Sequence, residues 1–238
     1  MCKEYHQVIL SLAQVHGAKI VKQSEALSLF WEILAHADDK EFVKELHDRE
    51  TYKFFSWAFT NESEDKQVFN ISSVDANVIN VILSAVKNLE GKTFSVTGGG
   101  CFIIVSSWPV EDIHYIPLHT TLATESGIHI KHHFRKKNKL INISLFANEN
   151  KELFIERIRK KLVNKTAAYF DYPSDKLKVD IPWFDYRRMK KVPFKSGNIF
   201  VCDCSLKLVG SPECIAMALY AGLGDSTAMG FGHMYRVG

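Results

Sequence analysis

The sequence lacks the features of secreted, disulfide-bonded and membrane-spanning proteins. Its five cysteines are an odd number, which argues against a framework of paired disulfides. No apolar run approaches the roughly 20 residues that a membrane helix needs. Lys3, Glu4 and His6 precede the first strand-like segment, and this start shows no secretory pattern. We therefore expect a cytoplasmic chain with no membrane partner.

The sequence also has little excess charge of either sign. Lysine and arginine number 30 against 27 acidic residues, for a net charge of +3, which is too weak to indicate a nucleic-acid partner by itself. The positive residues are nevertheless concentrated: segments 131–139 and 187–195 each contain five and no acid. Either run taken alone is equally well explained as solvated surface. The distribution is therefore more informative than the total.

The common phosphate-binding motifs are absent too, although one segment is rich in glycine. Segment 222–232 holds four glycines in eleven residues. A Walker loop requires Gly-Lys-Ser/Thr, and a dinucleotide fingerprint lies between a strand and a helix. Here a helix beginning at Ser211-Pro212 comes before the loop and a strand follows it. Successive backbone N–H groups in such a loop can bind an anion.

The periodicity of apolar residues predicts an α+β protein. Segments 5–15, 52–59, 67–71 and 101–107 have strand patterns, and segments 23–37 and 77–89 have helical ones. This strand-helix-strand-strand-helix-strand order is the ferredoxin-like plan. The second half repeats it less clearly, with strands at 115–123, 140–145, 177–181, 187–192 and 199–208 and a helix at 152–170. We predict two tandem ferredoxin-like (RRM-like) domains, 1–109 and 110–238, with a C-terminal glycine-rich loop.

The stretch from Met189 to Gly232 resembles the C-terminal signature of the RAMP superfamily, specifically the CRISPR-associated endoribonucleases that cut repeat RNA. It contains Pro193-Phe194-Lys195-Ser-Gly197, an apolar strand, a helix and then Gly-Leu-Gly-Asp-Ser-Thr-Ala-Met-Gly-Phe-Gly. A weaker likeness covers the N-terminal half, where Leu46-His47 precedes Lys53-Phe54-Phe55-Ser56. The resemblance implies a metal-independent endoribonuclease that uses the RNA 2′-hydroxyl as nucleophile. The products would carry a 5′-hydroxyl and a 2′,3′-cyclic phosphate.

The partners implied by the resemblance are CRISPR repeat RNA, as pre-crRNA and mature crRNA, and other CRISPR effector subunits. No cofactor and no metal are expected, and the chain is expected to be a monomer or a homodimer. Two alternatives stay open. One is a non-cleaving RAMP subunit that only binds RNA. The other is a nucleotide-binding or structural ferredoxin-like protein unrelated to RNA.

Two catalytic residues follow from the same resemblance. His47 matches the family's catalytic histidine and is assigned as general acid/base, and Lys53 is assigned as the cation that stabilises the transition state, although it also fits an exposed strand lysine. Several relatives carry a tyrosine on the first helix, where this chain has Phe30 and Trp31. These two aromatic residues are expected in the core or against a base. Tyr52 is expected to face away from Lys53, because neighbouring strand residues point to opposite faces.

RNA contacts are expected from the two basic runs and from the glycine-rich loop, with Phe184 and Tyr186 beside the second run for base stacking. A metal site made of His129, His132 and His133 is less favoured than a loop or hairpin that touches RNA phosphates, because their neighbours are basic. The predicted RNA-binding residues are Lys131, Arg135, Lys136, Lys137, Arg187, Arg188, Lys190, Lys191, Lys195, Gly222, Gly224, Ser226, Thr227, Gly230 and Gly232.

Overall fold

The computed structural model describes residues 5–17, 20, 22–63, 66–96, 100–111, 118–136 and 139–237. For residues 5, 111, 133–136 and 139–143 only the backbone is described. The described chain forms two antiparallel sheets with helices packed on them and one separate two-stranded hairpin.

The N-terminal half forms a five-stranded sheet, here called the first sheet, with strand order β2-β3-β1-β5-β4. Without the short edge strand β4, this is the order of a ferredoxin-like sheet. Its elements are β1 (Tyr5–His16), α1 (Gln23–Leu34), α2 (Lys40–Asp48), β2 (Phe55–Asn61), β3 (Lys66–Ser73), α3 (Ala76–Leu89), β4 (Thr93–Ser95) and β5 (Cys101–Glu111).

The C-terminal half forms the second sheet, with strand order β11-β6-β10-β9, and the hairpin β7-β8. It repeats the ferredoxin-like order. Its elements are β6 (His119–Thr124), β7 (Lys131–Lys136), β8 (Lys139–Ser144), α4 (Lys151–Phe170), β9 (Val179–Phe194), β10 (Gly197–Gly210), α5 (Pro212–Ala221) and β11 (Met234–Arg236), with 3-10 turns at Ser174–Lys176 and Thr227–Met229.

Each sheet buries one face against its own helices. Alternate residues of β1, such as Leu10 and Leu12, pack with Phe30 of α1 and Ile82 of α3 in the first core. In the second core, Leu206 of β10 packs with Phe154 of α4. Burial of apolar area at about 25 cal/mol per Å² is the main stabilising term for such layers.

The C-terminal basic segment differs from its predicted structure. Two strands were expected at 177–181 and 187–192, but β9 is continuous over Val179–Phe194 and pairs with β10 along a long hairpin. The pairing register shifts between Arg188↔Asp203 and Tyr186↔Cys204, so Arg187 is the extra residue of a bulge. The predicted break, residues 182–186, begins at Pro182, which is tolerated here because β9 is an edge strand of the second sheet.

The two halves meet along the glycine-rich loop. Trp57 of β2 donates its indole N–H to the Ala228 carbonyl at 3.0 Å. Gln23, at the start of α1, donates its amide to the carbonyls of Met229 and Gly230, each at 3.1 Å. The N-terminal half therefore holds the C-terminal loop in place.

Candidate active site

Two glycines form the neck of the loop between α5 and β11. The Leu223 N–H donates to the Gly232 carbonyl at 2.9 Å. A Cβ atom on Gly232 would lie 1.9 Å from the Leu223 carbonyl oxygen, and one on Gly222 would lie 2.6 Å from the Gly232 oxygen. Both residues also have positive φ angles, a conformation that glycine adopts without strain. The neck therefore requires glycine at both positions for close backbone packing.

The other two loop glycines are also close to neighbouring protein atoms. A Cβ on Gly224 would lie 2.5 Å from the His129 carbonyl oxygen, and one on Gly230 would lie 2.4 Å from the Trp57 ring. The N–H groups of Gly230 and Gly232 donate to the carbonyls of Thr227 and Gly127. These close contacts explain why residues 224 and 230 are glycines. The half-buried part of the loop, Gly224–Ser226, faces a cleft.

The cleft lies between the two halves of the chain and has a volume of about 520 Å³. Its walls carry more positive than negative groups, which suits a phosphate-rich ligand. The lining consists of Arg49, Glu50, Thr51, Tyr52 and Lys53 from the α2–β2 connection, of Lys131, Lys161 and Lys165, and of Gly224, Asp225, Ser226, Thr227, Ala228 and Met229 from the loop.

His47 stands next to this lining, in the last turn of α2. Its side chain is 61% exposed, and its Nδ1 lies 3.0 Å from the Asp48 carboxylate. This hydrogen bond is the main cause of a lowered pKa for Asp48. The ring packs edge-on against Trp31 with 4.8 Å between centroids. The imidazole is thus held by an acid and an aromatic ring while most of its surface stays accessible.

Lys53 connects His47 with the cleft. Its Nζ donates to the His47 carbonyl at 2.7 Å and lies 5.2 Å from the centre of the Trp31 ring. Partial burial, together with the nearby Arg49 guanidinium, lowers the pKa of Lys53. A partly desolvated ammonium of this kind interacts more strongly with a developing negative charge than one in bulk water.

The reason for expecting Tyr52 to face away from Lys53 does not apply. Strand β2 begins only at Phe55, so the alternation of strand side chains does not apply to Tyr52 and Lys53, and both line the cleft. Phe30 lies in the first core, stacked on Phe55 and Trp57. Trp31, in contrast, is half-buried and contacts both His47 and Lys53.

Comparison with known proteins assigns the chain to a family. A family model described as CRISPR associated protein Cas6, C-terminal, matches residues 112–235, slightly more than half of the chain. The chain belongs to the Cas6 family. No curated protein matches it in sequence.

Three solved structures of Cas6 and RAMP proteins match nearly the whole length of this chain. A "CRISPR associated protein Cas6" is 21% identical, with a TM-score of 0.74 over 99% of this chain and 100% of the other. The product of a Cas6-related gene from Pyrococcus furiosus is 19% identical, with a TM-score of 0.76 over 98% of both chains. A RAMP protein described as binding different RNA substrates is 18% identical, with a TM-score of 0.76 over 98% of this chain and 100% of the other.

These findings confirm the resemblance to the RAMP endoribonucleases and the fold class. The chain has the two tandem ferredoxin-like folds of Cas6 structures, and its glycine-rich loop lies near the C-terminus. Within the described segments no helix is long and apolar enough to cross a membrane. The same segments contain no cluster of three or more potential metal ligands.

The predicted RNA-binding residues of this Cas6 chain fall into separate groups. Lys131, Gly224, Ser226 and Thr227 line the cleft. Gly222, Gly230 and Gly232 are buried behind it. Arg135 and Lys136 lie in the second part of β7, for which only the backbone is described. Lys137 lies outside the described residues.

The basic residues of β9 lie on a separate surface and are partly neutralised. Asp203 of β10 pairs with Arg188 at 3.1 Å and with Lys190 at 2.6 Å, and Arg187 donates to the Ser205 hydroxyl at 2.7 Å. Lys191 and Lys195 are exposed, with Lys195 in the β9–β10 turn.

Only one of the two aromatic residues expected to stack on bases is partly accessible. Phe184 is buried in the second core, so its expected stacking role was wrong. Tyr186 is 36% exposed and accepts a hydrogen bond from the Met189 N–H. The more exposed aromatic residue on this strand is Trp183, at 48%.

His129 is buried beside Phe231, and burial lowers its pKa to about 4. His132 lies on β7, and only the backbone of His133 is described. The expected hairpin at this segment is present as β7 and β8.

Sequence reasoning missed Arg49 and Lys165, which also line the cleft. Arg49 immediately follows α2 and carries no motif. Lys165 gives one usable signal: it continues the apolar stripe of α4 formed by Phe154, Ile158 and Leu162. A lysine at a core-facing position of a helix is unusual and points to a buried polar role.

Proposed function

We propose that this chain is a metal-independent endoribonuclease that cleaves CRISPR repeat RNA, as pre-crRNA, into guide RNAs. Membership of the Cas6 family supports the substrate class. The observation that carries the proposal is the position of His47 and Lys53: the imidazole of His47 is accessible, and the partly buried ammonium of Lys53 donates to the backbone carbonyl of His47 at the edge of a cationic cleft lined by the glycine-rich loop.

The chemistry requires no group beyond the chain and the RNA. The 2′-oxygen loses its proton to a base and attacks the adjacent phosphorus, and the bond from phosphorus to the 5′-oxygen breaks. The leaving 5′-oxygen takes up a proton, so one product ends in a 2′,3′-cyclic phosphate and the other in a 5′-hydroxyl. Histidine serves such proton transfers near neutral pH. We assign His47 as the general acid/base.

Lys53 stabilises the extra negative charge of the phosphorane. Its ammonium is held in place by the His47 carbonyl and the Trp31 ring, so little reorganisation is needed when the charge develops. The loop residues Gly224, Ser226 and Thr227, together with Lys131, hold the neighbouring phosphates. Lys191 and Lys195 extend the RNA path along β9, and Arg187, Arg188 and Lys190 contribute where Asp203 and Ser205 release them.

Three further points are part of the proposal. The chain divides near Pro109 into the units 1–109 and 110–238, although β5 itself continues to Glu111. The mature crRNA stays bound after cleavage, and other CRISPR effector subunits recognise this complex. The chain acts as a monomer or a homodimer.

A non-cleaving RAMP subunit is the second candidate, and Trp31 favours it. This indole contacts His47 and Lys53 but transfers no proton, and it occupies the helix where the resemblance leads us to expect a tyrosine. Such a protein would bind repeat RNA through the same cleft and leave it intact.

Cleavage of repeat RNA in excess EDTA separates the two candidates. We expect cleavage with a 2′,3′-cyclic phosphate on the upstream product and a 5′-hydroxyl on the downstream one. A matched RNA with a single 2′-deoxy nucleotide at the mapped cleavage position should bind with the same affinity and stay intact. Cleavage that stops in EDTA, or that persists on the 2′-deoxy RNA, would contradict the mechanism. Tight binding without any cleavage would support the non-cleaving subunit.

A further inference from the structure

Lys165 lies at the floor of the cleft and is the most buried of its cationic residues. The residue is 5% exposed. Its Nζ donates to the Ala221 carbonyl at 2.5 Å and to the Thr227 hydroxyl at 3.1 Å. An ammonium has three N–H donors, and these two acceptors are uncharged. Within the described residues Lys165 thus has no carboxylate bonded to it, and one donor is left for a ligand.

The carboxylates near Lys165 do not neutralise the positive charge of its ammonium. Asp225 is already used: its carboxylate lies 2.6 Å from Lys161 Nζ and also accepts the Lys131 N–H at 2.6 Å. From α5, the contact to Lys165 is the Ala221 carbonyl. The charged or titratable groups that share the cleft with it are Arg49, Glu50, Tyr52, Lys53, Lys131, Lys161 and Asp225.

We propose that the floor of the cleft is a phosphate site at which Lys165 takes up a proton when a backbone phosphate of RNA binds. The identity of the ligand as RNA rests on the proposed function, but the site itself rests on the geometry of Lys165, Thr227 and the loop. The ε-amine gains one proton from solvent, the phosphate stays a monoanion, and the new ammonium donates its third N–H to a phosphate oxygen. No bond in the RNA changes.

Burial explains why the free protein can supply a neutral amine. It lowers the pKa of Lys165 to about 7, so the uncharged form of Lys165 is populated at neutral pH. An adjacent phosphate favours the charged form and raises the pKa again. RNA binding and protonation of Lys165 therefore reinforce each other.

Calorimetric titration with the uncleavable 2′-deoxy repeat RNA measures this proton. Titrations in buffers of different ionisation enthalpy give the number of protons taken up. For the wild-type chain we expect Lys165 to contribute a fraction of one proton at pH 7 and a larger fraction at pH 8, because the uncharged form that takes up the proton becomes more populated as the pH rises.

Lys165→Arg is the informative variant, since arginine stays charged at these pH values. This variant should bind the RNA and lose the proton uptake that Lys165 contributes. Histidines contribute equally to both proteins, so their protons cancel when the two uptakes are compared. Lys160→Arg is the matched control, on the exposed face of α4 and outside the cleft lining, and it should retain the wild-type uptake. Equal uptake by the wild-type chain and Lys165→Arg would overturn the proposal.

A second measurement does not depend on RNA or on the stability of the arginine variant. In the free wild-type chain with lysines labelled at ¹³Cε, one resonance should titrate near pH 7 and disappear in Lys165→Arg or Lys165→Met. Tripolyphosphate should shift that titration to higher pH. If every lysine titrates above pH 9, or if tripolyphosphate leaves the low titration unchanged, the proposal is contradicted. Failure of RNA cleavage would affect only the proposed function.

Discussion

At the scale of single residues, the two most buried histidines among the side chains that the structure describes are held as neutral groups near pH 7. His233 is 1% exposed, its Nδ1 lies 2.9 Å from the Ser56 hydroxyl, and its Nε2 lies 3.4 Å from the Glu125 carboxylate. Burial lowers the pKa of His233 to about 4, partly opposed by the hydrogen bond with Ser56. Burial also raises the pKa of Glu125, and it lowers that of His129 to about 4.

The buried histidines predict a loss of stability in mild acid. Because the folded pKa lies below the ordinary value of 6.5, the unfolded chain binds more protons between pH 6.5 and 4, so the free energy of unfolding falls as the pH falls through this window. Each histidine contributes about 2 kcal/mol to the fall between pH 7 and 5. Urea unfolding of the wild-type chain and of His233→Gln at both pH values measures this contribution.

The pH dependence, rather than the absolute stability, is the relevant readout, because His233→Gln also changes hydrogen bonds. We expect the decrease between pH 7 and 5 to be smaller in His233→Gln and unchanged in His119→Gln, which alters an exposed histidine on β6. An identical pH dependence in all three proteins would show that His233 is not kept neutral by the fold.

Single residues were the hardest level to predict from the sequence. The chain has ten histidines, and no local pattern distinguishes exposed His47 from buried His129 and His233. Their burial depends on segments distant in the chain, such as Ser56 for His233. His47 was identified through its place after a short helix and before a strand, together with a family resemblance. The neutral environment of Lys165 could not be foreseen either, since its acceptors come from α5 and the loop.

At the scale of elements, the glycine-rich loop contributes the longest continuous segment to the cleft lining, Gly224 to Met229. Its neck brings two backbone segments together without side chains between them. We expect Gly232→Ala to lower the free energy of unfolding by at least roughly 1–3 kcal/mol. The residue has a positive φ, and the new Cβ would overlap the Leu223 carbonyl oxygen. Urea unfolding and RNA affinity should both report the loss.

Gly197 provides the matched comparison in the β9–β10 turn. A Cβ there meets nothing within 4 Å, and its φ is not in the positive range. Gly197→Ala should therefore leave stability unchanged or raise it by up to about 1 kcal/mol. If Gly232→Ala proved as stable as Gly197→Ala, the close packing at the neck would not be the reason for glycine there.

Most elements were predictable because their patterns are local. The helix over Ala76–Leu89 and the strand over Tyr5–His16 follow from apolar spacing alone. Strand β9 was misread as two strands because the segment between them, residues 182–186, begins with Pro182, which is rare inside a strand. Its partners, Asp203 and Ser205, lie on β10 and are recognisable only once the hairpin forms.

At the scale of the whole molecule, the site belongs to neither half alone. His47 and Lys53 come from the N-terminal half, whereas the loop, Lys131, Lys161 and Lys165 come from the C-terminal half. Hydrogen bonds across the junction, such as Ser72 to the Tyr220 carbonyl at 2.7 Å, keep these parts in register. The tandem fold was predictable from element order and resemblance, but the convergence of these groups required the structure.

The central claim is that His47 transfers protons at this shared cleft. The most direct measurement is the single-turnover cleavage rate of repeat RNA in EDTA for His47→Ala, with His36→Ala as the control. His36 is a partly exposed histidine that pairs with Glu32 near the end of α1. We predict that His47→Ala lowers the rate by about 10²- to 10⁴-fold with RNA affinity nearly unchanged, while His36→Ala cleaves like the wild-type chain. Cleavage by His47→Ala at the wild-type rate would contradict the claim.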